Sequence, residues 1–346
     1  MMPPLDARKW QVLRAVIREY IVSGLPVASG KITRKYRLNL SPATVRTTMA
    51  LLEQEGYLEQ PHVSAGRIPS DLAFRYYVDV LTDLKPLAQD VQRLILGRFQ
   101  DAVQDVGEIM QETSRLLSRV SRCAGVVSAP SISHIVFDAI DFHPLEGSRV
   151  LVILVSQAGL LYHRIIDGIH GATRKELEQA AGYLNRHIRG RSLAEAREWI
   201  MKQLEQEKSE YREILKRFWN VGTWAIDPGR AEVYIDGQSN ILDYPEFADD
   251  ARKMKALLRA FEQKEILLQL LNKAADGGGI RIYIGHESQC DEMSECAFIV
   301  SNYCRGGIPL GSLGIIGPKR MDYSRVIPLV QFAAKAVGEK LGRIRA

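Results

Sequence analysis

Over the first fifth of the chain, apolar residues recur at helical spacing in three short runs divided by helix breakers. Behind Asp6, a residue suited to capping a helix, Trp10, Leu13, Ile17 and Tyr20 share one stripe until Gly24-Leu25-Pro26 ends it. A second, shorter helix is predicted after Ser29, taken as its cap, with Ile32 and Tyr36 on one face and Lys31, Arg34 and Lys35 turned to solvent or to phosphate. A third starts at Ser41-Pro42, where the hydroxyl serves free amides and the proline occupies the first helical position. Val45, Met49 and Leu52 form its buried stripe and Gly56 stops it. Behind the capping Ser41, that leaves Ala43, Thr44, Arg46, Thr47 and Thr48 on its N-terminal half without packing duty. Two short helices joined by a tight link, the second with a polar N-terminal half, match a helix-turn-helix whose second helix enters the major groove. Tyr57-Leu58-Glu59, the turn Val63-Ser64-Ala65-Gly66, and Arg67-Ile68 before Pro69 then read as a hairpin, a wing whose Arg67 is suited to a phosphate or a minor groove.

Further along, a helical pattern runs from Val91 to Val120 and links this head to a body. Strand-like runs cluster at Ile135 to Phe142, Arg149 to Val155 and Leu160 to Ile166, and again at Ile280 to Ile284, Ala297 to Tyr303 and Gly311 to Ile316. The stretch between the clusters is mainly helical, so the simplest arrangement is one sheet split by a helical insertion. Ser192-Leu193-Ala194-Glu195 is a capping box that opens a helix bearing Trp199, Tyr211, Phe218 and Trp219, with Trp224 nearby. So many aromatics in a small insert suit a subunit contact better than a private core. Glu232 to Gly237 reads as a strand and turn of the insert or its edge.

Charge changes the picture at one end. The net value of +5 for 346 residues hides ten basic against five acidic side chains in residues 1–70 and an even balance beyond. A basic block that coincides with a helix-turn-helix and a wing faces a polyanion. With 46% apolar and 25% charged residues the chain has the makeup of a multidomain globular protein, and no apolar run reaches membrane-spanning length. The start of the chain carries no secretion pattern, so a cytoplasmic location is expected. Cys123, Cys290, Cys296 and Cys304 fit no structural zinc spacing and are expected as reduced thiols, with no metal or cofactor. Gly277-Gly278-Gly279 and the glycines from Gly311 to Gly317 match no phosphate loop or dinucleotide fingerprint, and the scattered histidines form no catalytic motif.

Leu40-Ser41-Pro42-Ala43-Thr44-Val45-Arg46, the run from Glu59 to Ser70, Arg75-Tyr76-Tyr77-Val78-Asp79, Tyr283-Ile284-Gly285, Gly314-Ile315-Ile316-Gly317-Pro318 and Arg320-Met321-Asp322-Tyr323 together resemble the bacterial heat-inducible transcription repressor HrcA family. The resemblance spans nearly the whole chain. It implies an α+β multidomain protein: a winged helix-turn-helix at 1–85, a GAF-like domain with its linker helix at 86–171 and 246–346, and an inserted dimerisation domain at 172–245. On that reading the recognition helix supplies the six residues from Ser41 to Thr48 named above. The wing and backbone contacts come from Lys31, Arg34, Lys35, His62, Ser64 and Arg67, and the dimer contact from Trp199, Tyr211, Phe218, Trp219 and Trp224. The implied partners are double-stranded DNA carrying an inverted repeat upstream of chaperone genes, a second copy of the chain, and the chaperonin GroEL, which maintains the active state. The alternative is a regulator controlled by a small molecule bound to the GAF-like domain.

Overall fold

In the computed structural model the described residues are 5–343 apart from 63–64, 82–83, 85, 102–105, 131–135, 158–160, 168–172, 193–194, 197, 201, 203–231, 274–278 and 306. Asp6 caps α1 (Ala7–Ser23) by accepting the Lys9 amide at 2.8 Å, and Gly24, left-handed at φ 65°, closes it. The cap of α2 (Ser29–Tyr36) differs from expectation. Ala28 holds that position without a side-chain bond, and Ser29 is the first helical residue. In α3 (Pro42–Gln54) the Ser41 hydroxyl accepts the Thr44 amide at 3.1 Å and Pro42 takes the first helical position. Val12, Leu13, Val16, Ile17, Ile32, Val45, Met49 and Leu52 are all at most 1% exposed and join the three helices in one core.

Strands β1 (Leu58–Glu59) and β2 (Ile68–Pro69) pair antiparallel behind α3. Arg67 exchanges both backbone hydrogen bonds with Val27, which ties the hairpin to the segment between α1 and α2. Helix α4 (Asp71–Asp79), capped by Ser70, follows. The long helical pattern resolves into α5 (Gln89–Asp101) and α6 (Val106–Ser121).

The strands that follow are β3 (Ala124–Ser128), β4 (Phe137–Pro144), β5 (Val150–Ser156) and β6 (Leu161–Ile166). Next come α7 (Arg174–Ile188), β7 (Val233–Asp236), α8 (Gln238–Leu242), α9 (Pro245–Ala248), α10 (Ala251–Glu262) and α11 (Lys264–Asn272). The chain then runs through β8 (Ile280–Ile284), β9 (Cys296–Arg305), β10 (Ile308–Pro318) and α12 (Tyr323–Arg343). Five strands form an antiparallel sheet in the order β7-β3-β10-β9-β8. Strand alternation divides its side chains. Val127, Ile299, Leu313 and Ile315 join the core that holds α6 and α12, whereas Val126, Phe298, Val300 and Ile316 join the one that holds α10 and α11.

The other three strands correct the single split sheet. β4, β5 and β6 make a separate antiparallel sheet with its own core, in which Phe137, Val152 and Leu154 meet Leu177, Leu184 and Ile188 of α7. β3 and β7 are antiparallel neighbours, and the Ala129 amide donates to the Glu232 carbonyl at 2.7 Å. The chain thus leaves and re-enters the five-stranded sheet at one place. The excursion begins after Ser128 instead of at 172, and Val233–Asp236 is an edge of the body sheet. Among the described residues no helix is long and apolar enough to cross a membrane. Cys123 and Cys296 are buried, and burial pushes both thiols up, Cys123 to about 11.

Candidate nucleic-acid interface

The N-terminal half of α3 is built by its cap. Ser41 and Thr44 share a hydroxyl hydrogen bond at 2.9 Å, and Ser41 also holds the Thr44 amide, so the first turn is fixed with its free amides outward. Ala43, Arg46 and Thr47 are exposed and Thr44 is half-buried. Thr47 returns its hydroxyl to the Ala43 carbonyl at 3.1 Å. Arg46 makes no ion pair or hydrogen bond among the described residues. Its guanidinium carries five donors, none of them committed to a described residue.

Thr48 does not share this face. It is 4% exposed, and its hydroxyl donates to the Thr44 carbonyl at 2.9 Å, inside the head core beside Met49. One residue further round the helix turns the side chain by about 100°, enough to carry it from the exposed side to the packed side.

The basic residues of α2 prove to be committed as well. Glu19 of α1 is 2% exposed; Lys31 Nζ lies 2.7 Å from one of its oxygens and Lys35 Nζ 2.6 Å from the other, and the Tyr36 hydroxyl donates at 3.1 Å. Burial pushes the Glu19 carboxyl up, but these three donors outweigh it and hold it down at about 2. Burial, then the bond to Glu19, pushes the Tyr36 phenol up to about 12. Lys31 and Lys35 therefore brace α2 against α1. Arg34 stays exposed with one bond, to the Gly30 carbonyl at 3.1 Å, and Arg37, left-handed at φ 43°, is exposed beside it.

On the hairpin, His62 is exposed and Ser64 lies outside the described residues. Arg67 is 17% exposed and sets two nitrogens 2.8 Å from one Glu53 oxygen, fastening the hairpin to the last turn of α3. A contact from Arg67 to a phosphate or a minor groove requires this pair to open.

Sequence reasoning missed Glu19 and Glu53. Glu19 had a signal: it continues the Val12–Val16 stripe on the buried side of α1, where a carboxylate requires cationic partners. Glu53 and Arg67 are joined only by the fold. Of the residues assigned to a subunit contact, Tyr211, Phe218, Trp219 and Trp224 lie outside the described residues. Trp199 is half-buried, stacked on His187 at 4.9 Å and 15°, with Arg191 5.6 Å above its ring. The capping box at Ser192 is formed, with Glu195 bonding back to the Ser192 amide at 2.7 Å.

Residues 107–327 match the HrcA protein C terminal domain. The chain is 40% identical to the heat-inducible transcription repressor HrcA of Geobacter sulfurreducens over 340 residues, 98% of this chain and 99% of that protein. It is 37% identical to the HrcA repressor of Syntrophobacter fumaroxidans, covering 98% of each. A crystal structure of a hypothetical protein at 2.2 Å resolution shares the fold with a TM-score of 0.65 at 21% identity, covering 99% of this chain and all of that one. The family match over most of the chain and full-length relatives at this identity agree: the chain belongs to the HrcA family of heat-inducible transcription repressors.

Proposed function

We propose that the chain represses transcription of chaperone genes by placing α3 of a winged helix-turn-helix in the major groove, as a homodimer on an inverted repeat, in the cytoplasm. One observation carries the reading: α3 offers an exposed N-terminal half on which Arg46 has no bonding partner among the described residues, in the most basic part of the chain. Ala43, Thr44 and Thr47 flank Arg46 as base-edge contacts, Ser41 sets the turn, and Arg34, Arg37 and His62 approach the sugar-phosphate backbone. The five-stranded sheet with helices on both faces supports the GAF-like reading of the body. The excursion between β3 and β7 is the dimerising element, with Trp199 and the aromatics beyond it as the contact. Replacing residues 130–231 by a short Gly/Ser bridge, feasible because its two ends are hydrogen-bonded neighbours, gives a monomer whose operator affinity falls by about 100-fold. Sedimentation and gel shift read both quantities, and an undiminished dimer places the interface elsewhere.

Apolar surface freed when a subunit contact parts suits capture by a chaperonin. GroEL with ATP accordingly raises the fraction of chains that titrate with operator DNA and leaves their dissociation constant unchanged. The rival reading, a ligand-controlled regulator, has one observation in its favour: an open groove of about 630 Å³ beside β7, lined by Tyr234, Phe261 and Lys264 among others. Full operator binding by dialysed protein decides against it. DNase footprinting upstream of a chaperonin operon tests the main reading, and the absence of a protected inverted repeat overturns it.

A further inference from the structure

The segment between β10 and α12, prominent in the sequence as Gly317-Pro318-Lys319-Arg320-Met321-Asp322-Tyr323, has no part in the DNA reading as it stands. In the structure it grips the head. Arg320 is 11% exposed and is held by both carboxylate oxygens of Glu246 on α9. A third nitrogen of Arg320 donates to the Ile21 carbonyl in the last turn of α1 at 3.3 Å, and the guanidinium lies 5.0 Å from the Tyr244 ring centre. The cation thus meets the negative end of a head helix while the Glu246 carboxylate of the body holds it in place. Lys319 bridges Asp71, the first residue of α4, at 2.8 Å and Glu295 of the body at 3.3 Å. From the head side, Arg75 on α4 grips both oxygens of Glu287 and donates to the Ile282 carbonyl at 2.6 Å. Phe74 packs on the fully buried Tyr323 ring, with centroids 6.1 Å apart.

Two glycines permit this closeness. A Cβ on Gly24 would stand 3.0 Å from the Arg320 guanidinium carbon, and one on Gly285 would stand 2.0 Å from an Asp71 oxygen; both residues have positive φ. Charged, backbone and apolar contacts therefore coincide on one joint. A tethered head accepts half-sites at any separation its tether reaches, whereas a fixed head accepts only the separation and helical phase that the dimer presents.

We propose that Arg75, Lys319 and Arg320 are positioning residues for DNA recognition: they clamp the reader head to the body, so that the dimer selects the half-site separation of its operator. The inference rests on the DNA reading above. Its test uses the full chain and DNA carrying the footprinted half-site, singly or as an inverted repeat at its natural separation and at separations changed by five and ten base pairs. For the parent, a five-base-pair change, half a helical turn, weakens binding by about 100-fold, the loss of one head from the complex. Arg75→Gln with Arg320→Gln brings that ratio below about tenfold, while affinity for a single half-site stays within about twofold. If this double variant loses its near-ultraviolet circular dichroism, Glu246→Gln with Glu287→Gln removes the same pairs from the body side and takes the same expectation. A folded variant that keeps the parent's ratio overturns the clamp, as does a parent that binds equally well at every separation. A parent that binds no inverted repeat overturns the DNA reading itself.

Discussion

Helices α2 and α3 lie side by side, each bearing exposed basic side chains, and the fold employs them in opposite ways. On α2, Lys31 and Lys35 serve a buried carboxylate, Glu19, and the helix acts as a brace. On α3, the apolar stripe and Thr48 face the core, and Arg46 faces solvent with no intramolecular partner among the described residues. A count of positive residues ranks α2 above α3 as a DNA contact; a tally of which charges already have partners reverses the ranking. On the hairpin, Arg67, expected at a phosphate or a minor groove, is likewise paired, with Glu53.

The sharpest way to break the contrast is to remove the carboxylate. Depression of the Glu19 carboxyl from 4.5 to about 2 corresponds to roughly 3 kcal/mol of folding stability. Because the folded value lies below the unfolded one, that stability is present above about pH 4.5 and is lost as pH falls towards 2. Glu19→Gln should lower the unfolding free energy by about that amount at neutral pH and flatten its dependence in this acid window, as read by denaturant titration at several pH values. No loss would mean that α2 needs no brace.

Next in size is Arg46→Ala, expected to weaken operator binding by about 1–3 kcal/mol with Tm unchanged. The effect should concentrate at one base pair if the partner is guanine and spread evenly if it is phosphate. A gel-shift series over single-base operator variants separates the two, and full parental affinity would remove Arg46 from the interface.

What is legible in the sequence depends on distance along the chain. Asp6 and Ser41 were legible as caps, because a cap needs only its next three residues. Ser29 misled because the chain entering α2 sets Ala28, one residue earlier, in the extended cap conformation. Most strands were legible from their apolar runs, but β3 was missed and β4–β6 were assigned to the wrong sheet, since alternation reports a strand's faces and says nothing of which strand lies beside it. Recognition residues followed the same rule. Ala43, Arg46 and Thr47 fell on the exposed side as the spacing required, whereas Thr48 lay at its margin and only packing decided its place. Arg320, close to α1 in space and 299 residues away in sequence, could be seen only in the fold.

Smaller effects sharpen the contrast. Lys31→Ala and Lys35→Ala are each expected to cost about 0.5–1 kcal/mol of stability, since both ammonium groups are about half exposed. Arg67→Ala is expected to cost less than about 1 kcal/mol and to leave the salt dependence of binding intact. Thermal unfolding and fluorescence-anisotropy titration of the same preparations check each pair of values. A lower salt slope for Arg67→Ala would show that its bond to Glu53 opens on DNA.

The central claim, that α3 reads DNA and α2 braces it, meets its most direct test in operator affinity measured across a salt series for Arg46→Ala and for Lys31→Ala with Lys35→Ala. The account predicts that Arg46→Ala loses affinity at every salt concentration with no loss of Tm. It predicts that the double lysine variant, at a temperature where it is fully folded, keeps the parental affinity and slope. A double lysine variant whose slope falls by about two while Arg46→Ala binds like the parent would contradict it.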